Sequence, residues 1–172
     1  MNLAPLLEAS PAIQIHVAAA TAAMLLGAAI LFRRKGDGAH RTAGRLWVGL
    51  MAVVCLSSFF IWTIRMAGPF SPIHLLSAGT LYALVKGVGY ARMRDIAAHR
   101  RTMQITYGAA LVITGLFTLL PGRIMHEVFF GGPRPTVGIA VLAALAATGI
   151  GLALYGRRPG RRALTGRTVT QR

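Results

Sequence analysis

The stretch Asp37–Arg45, DGAHRTAGR, returns in altered form at Asp95–Gln104, DIAAHRRTMQ, so that an Asp, a His and an Arg follow one another in the same order twice. Both copies stand just before long apolar runs. A polar cluster ahead of an apolar run reads as a helix start at the edge of a bilayer, with the Asp as N-cap. The rest of the chain can be placed outward from these two points.

Of the 172 residues, 55% are hydrophobic and 13% charged, a balance foreign to a soluble domain. Runs near the ~20 residues needed to cross a bilayer lie at Pro11–Phe32, Leu46–Ile64, Pro72–Tyr90, Thr102–Leu120 and Thr136–Tyr155. The expected fold is therefore all-α: a polytopic membrane protein with five transmembrane helices in one domain, residues 1–156, followed by a basic cytoplasmic tail, residues 157–172. The first run is read as a retained span and not a signal peptide, because Glu8 precedes it, no basic segment leads it, and Arg33, Arg34 and Lys35 follow it.

Charge sets the expected orientation. Arg33, Arg34, Lys35, Arg41 and Arg45 lie between the first two spans, Arg92, Arg94, Arg100 and Arg101 between the third and fourth, and six arginines in the tail, whereas only Arg65, Arg123 and Arg134 lie on the other side. Basic loops stay cytoplasmic, so the N-terminus is expected outside and the C-terminus inside. The net charge of +15 is accounted for by these loops beside helix ends and the lipid headgroups they meet, which removes nucleic acid as the expected partner. Cys55, a single cysteine within the second span, has no internal disulfide partner and is read as packing.

The opening repeat extends along most of the chain. At an offset of 58, Pro11 pairs with Pro69, Ile15 with Ile73, His16 with His74, Ala20 with Ala78, Arg34 with Arg92 and Asp37 with Asp95. At 59, Ala39, His40, Arg41 and Gly49 pair with Ala98, His99, Arg100 and Gly108, and at 58 again Phe59 and Arg65 pair with Phe117 and Arg123. Residues 11–65 and 69–123 thus read as two copies of one helical hairpin, expected to form an up-down four-helix bundle about a pseudo-twofold axis along the membrane normal, with residues 136–155 as a fifth helix packed outside. That fifth helix carries no ionisable side chain and spaces Ala143, Ala147 and Gly151 for close packing at the bundle edge or in a homodimer.

This geometry sorts the histidines into two pairs: His16 with His74 near the outer face, His40 with His99 near the inner. Facing imidazoles in a helical bundle suit the axial positions of b-type haem, one or two per chain. Small residues one turn on leave room for a porphyrin: Ala19 and Ala20, Ser77 and Ala78, Ala43 and Gly44; His99, followed by Thr102 and Met103, is the exception. Arg41, Arg100, Arg65 and Arg123 are placed to neutralise propionates. The alternative is a non-haem protein, with a quinone, metal or proton site lined by the same histidines, or a scaffold in which they are interfacial side chains reaching water. His40 lies about 9 Å before the apolar run at Leu46, so the outer pair is expected to be the better buried. Lys86 reads as a snorkelling amine, and His126 with Glu127, in the outer segment PGRIMHEVFFGGPRP, as a loop over the outer pair with a solvated imidazole.

Through AHRTAGR, SPIHLLS, AHRRTM and FTLLPGR the chain resembles a family of bacterial integral membrane proteins known as domain of unknown function 2306, over roughly Pro11 to Phe130. The resemblance implies a multi-pass protein of the bacterial inner membrane. In architecture the alternating His pairs are similar to the four-helix, di-haem core of the cytochrome b561 group, which implies electron transport with a quinone or small redox partner. No hydrolytic or phosphoryl-transfer motif is present, so any enzyme here is expected to be an oxidoreductase.

Overall fold

The computed structural model describes residues 2–61 and 72–130, together with 140 and 143. All regular structure among them is helical: α1 (Ala4–Leu7), α2 (Pro11–Phe32), α3 (Gly38–Ser58), α4 (Pro72–Arg92), α5 (Ile96–Thr106), a π-helical stretch (Tyr107–Ile113), α6 (Thr114–Thr118) and α7 (Ile124–Phe130). Of the described helices, α2 alone is both long and apolar enough to cross a membrane on length and composition.

The helix starts follow the chemistry at the two repeated Asp residues. Asp37 accepts the backbone N–H of His40 at 2.6 Å and Asp95 that of Ala98 at 3.0 Å, satisfying N–H groups that a helix start leaves without partners. Helices therefore begin at the caps, well ahead of the apolar runs. The second expected span starts at Gly38 instead of Leu46 and ends at Ser58 instead of Ile64; the fourth starts at Ile96 instead of Thr102. Apolar content marks the part of a helix suited to lipid, whereas capping marks where the helix starts.

The fourth rod is not uniform. After α5 it winds as a π-helix over Tyr107–Ile113 before resuming as α6. Here Thr114 Oγ1 donates to Ala109 O at 3.0 Å, and within the same region the repeat offset returns from 59 to 58.

The rods pack in a ring. α2 lies against α3, α3 against α4, α4 against α5, and the π stretch closes onto α2 and α4. Ala23, Trp47, Met51, Leu84 and Leu111 form the core. Small residues on α2 bring the neighbours close: a Cβ on Gly27 would stand 2.6 Å from the Tyr107 ring and 2.7 Å from Trp47 Nε1. Both aromatics anchor to α2 carbonyls, Trp47 Nε1 donating to Ala23 O at 3.0 Å and the Tyr107 hydroxyl to Met24 O at 3.1 Å. Polar tips are thereby satisfied inside an apolar core.

The segment after the fourth rod is not an open loop. α7 packs on α1, and Asn2 N donates to Val128 O at 2.9 Å. The fifth expected span lies almost wholly outside the described residues; Ala140 and Ala143 are helical and exposed. Ala147, Gly151, Arg134, Arg65 and the basic tail also lie outside them.

Candidate functional site

Four histidines fall on the ring of rods, two at each end. At the end expected to face outward, His16 Nδ1 lies 3.0 Å from Val54 O and 3.1 Å from Ser57 Oγ. A carbonyl only accepts, so Nδ1 carries the proton of the neutral ring and Nε2 keeps its lone pair. Ser57 Oγ spends its own proton on the carbonyls of Val53 and Val54. His74, buried on α4, stacks on Phe59 with ring centroids 5.5 Å apart. Between these contacts, Ser58 Oγ and Ser77 Oγ meet at 2.6 Å, and Ser58 also donates to Cys55 O at 2.6 Å. Ser58, Ser77 and Thr80 are all buried. This end of the interior is thus a hydroxyl and imidazole cluster that ties α2, α3 and α4 together, with buried Cys55 packed beneath it.

At the opposite end, His40 lies in the first turn of α3 and His99 in that of α5, on rods that face each other diagonally. The helical period puts His40 on the same face as Gly44, Trp47 and Met51, and His99 on the same face as Met103 and Thr106. His99 donates Nδ1–H to Gly87 O at 2.8 Å, leaving Nε2 with the lone pair. His40 Nδ1 is buried and has no hydrogen-bond partner. Asp37 is held below the usual carboxylate range, first by the His40 backbone N–H and further by Arg33, whose guanidinium lies 3.0 Å away.

Such rings can serve as axial ligands. Ligating histidines characteristically donate their second N–H to a carbonyl, which fixes the tautomer and the ring plane; His16 and His99 both do so. Among the described residues no three His, Cys, Asp or Glu side chains gather as a metal-ion set.

Arg41 and Arg100 are exposed beside the inner pair, while Arg123 lies over the Phe117 ring at 4.8 Å. Lys86 is exposed, with Nζ 5.7 Å from the Tyr90 ring and 6.0 Å from that of Tyr82. The expectation that His126 is solvated is corrected: it is 2% exposed, donates Nδ1–H to Leu119 O at 2.9 Å, and packs at 5.0 Å on Phe130. The physical reason is that α7 folds back against α1 and turns its one buried face inward. Val128 is buried beside it, while Glu127 and Phe129 are exposed.

Sequence reasoning did not single out Ser57 and Ser58, which organise the outer cluster, or Trp47. Ser58, with Ser77 on the facing helix, stood in the sequence as hydroxyls inside apolar runs.

No curated protein and no solved structure matches the chain. The model of the family described as predicted membrane protein (DUF2306) matches residues 13–148, a range that includes all four paired histidines. The chain belongs to the DUF2306 family of predicted membrane proteins.

Proposed function

We propose that this membrane protein is an electron carrier of the bacterial inner membrane, N-terminus outside and C-terminus cytoplasmic, in which histidines paired across four spans hold b-type haem. What supports the reading is that His40, in the first turn of α3, has a shielded ring nitrogen without a hydrogen-bond partner, and that His99, in the first turn of α5, has Nε2 kept free by its bond to Gly87. Leaving such a nitrogen unsatisfied costs about 1–3 kcal/mol, a cost that a bound group would remove. Haem, when bound, supplies one-electron chemistry that no side chain here supplies. The chain's own residues would fix the ligand tautomers through Gly87 and Val54 and, at the inner face, offer Arg41 and Arg100 to the propionates. A quinol is the donor that a carrier within the bilayer meets most directly.

A second reading draws on a different observation. The cluster of His16, Ser57, Ser58, Ser77 and His74 is rich in groups that accept and donate protons, which favours a proton or small polar ligand at the outer end.

The test is the absorbance of protein purified from haem-supplied cells. Bis-histidine haem gives a sharp Soret band and split visible bands on reduction. Colourless protein removes the haem reading and leaves the second.

A further inference from the structure

We propose that the groove between α1 and α2 is a lipid site that takes one acyl chain of an amine-bearing phospholipid, with the headgroup beside Glu8. The proposal depends on α2 crossing the membrane and not on the haem reading.

The sequence of α2 gives the groove its character. Across Pro11–Phe32 the polar side chains are Gln14, His16 and Thr21, and His16 is spent on α3. A span that is apolar all round turns its outer face to lipid. On that face Ala18 and Ala22 are exposed and short, and Leu25, 69% exposed, stands at the end away from α1. Leu6 and Leu7 of α1 form the facing wall, and the space between the walls is about 500 Å³. Small residues on one side and leucines on the other shape it for a thin apolar chain.

Its length and its polar groups fit the same occupant. From Gln14 to Leu25 the helix rises about 16 Å, and one leaflet of the hydrocarbon core is about 15 Å deep. The break between α1 and α2 would leave carbonyls facing lipid, where an unsatisfied polar group is costly. Gln14 Nε2 donates to two of them, Leu7 O at 2.8 Å and Ala9 O at 3.0 Å. No charged residue lines the groove, so along its length it asks for an apolar ligand.

At the α1 end the chemistry changes. Glu8 follows Leu7, is exposed, and pairs with no cation among the described residues. Glu127 is exposed on α7, which packs on α1, while Arg123 lies over the Phe117 ring. A carboxylate at the headgroup level attracts an ammonium and repels a headgroup that is only anionic. This selects a lipid of the phosphatidylethanolamine kind over phosphatidylglycerol.

Electron paramagnetic resonance of chain-spin-labelled phospholipid tests this, by counting the lipids whose motion the protein restricts in vesicles of phosphatidylethanolamine and phosphatidylglycerol in equal parts. Ala18→Phe and Ala22→Phe fill the groove and should each lower the count by one per chain with labelled phosphatidylethanolamine. Gly49→Phe, at an exposed position of α3 where a Cβ meets no atom within 4 Å, should leave it unchanged. With labelled phosphatidylglycerol, which the basic loops at the other end hold equally in all these proteins, the loss should be at least threefold smaller. Glu8→Gln should remove the difference between the two labels. A photo-crosslinker placed at Thr21 should couple to lipid. Counts in Ala18→Phe and Ala22→Phe equal to wild type, a loss as large with phosphatidylglycerol as with phosphatidylethanolamine, or coupling from Thr21 to another part of the chain or to a second copy instead of to lipid, overturns the proposal.

Discussion

At the scale of single residues, close approach and capping carry most of the argument. Gly27 lets Trp47 and Tyr107 reach the carbonyls of α2, and no side chain fits where its Cβ would stand. Gly27→Ala should destabilise by about 1–3 kcal/mol, the usual cost of overpacking, read as a lower unfolding temperature in detergent; an unchanged temperature would mean that the aromatics are not packed on α2. At the second repeat, Asp95→Ala should remove about 1 kcal/mol of capping and raise hydrogen exchange at Ala98 more than at Leu111. Asp37 adds a pH dependence. Its folded carboxyl titrates below the unfolded one, so its contribution is complete above the ordinary Asp pKa, near 4, and is lost as pH falls through the lowered value. Protection of the His40 amide, its exchange relative to the intrinsic rate at each pH, should therefore fall on acidification in the wild type and be low at every pH in Asp37→Ala. These caps were legible in the sequence, since an Asp ahead of a helix states its role locally. Gly27 was not, because its reason is a tyrosine 80 residues away.

Between elements, the buried Ser58–Ser77 contact is the link whose removal is most informative. Ser58→Ala takes from buried Ser77 its contact across the helix pair, at a cost of about 1–3 kcal/mol, and Ser77→Ala leaves Ser58 only its bond to Cys55 O, whereas replacing both removes the mismatch. The double variant should therefore be more stable than the sum of the singles implies, as measured by a double-mutant cycle on thermal unfolding; strict additivity would place the two hydroxyls apart. The helices themselves followed from apolar runs and caps, and α2 matches its expected limits, Pro11–Phe32, at both ends. The π turn at Tyr107–Ile113 had no such signal beyond the shift in repeat offset, because winding responds to how the rod packs on α2 and α4. His126 was misjudged for a related reason: its segment looked like a loop by its Pro and Gly flanks, and its burial depends on α1, more than a hundred residues earlier. The histidine pairs were legible as a repeat. The hydroxyl contact beside the outer pair was not, since it depends on how closely α3 and α4 approach at Ser58 and Ser77.

At the scale of the whole molecule, family membership marks a membrane protein, α2 has the length and apolar composition of a span, and the distribution of arginine carries the proposed orientation. A cysteine introduced in the Arg33–Gly36 loop should be shielded from an impermeant thiol reagent in intact cells and labelled after permeabilisation, while one at Asn2 should be labelled in both. The reverse pattern would invert the topology. The central claim, that paired imidazoles hold haem in this bundle, is met most directly by low-temperature electron paramagnetic resonance of the oxidised protein. The account predicts a low-spin ferric signal of two axial nitrogen ligands in the wild type, lost in His40→Ala and in His99→Ala. A high-spin signal, or protein from haem-supplied cells with no haem signal at all, would contradict it.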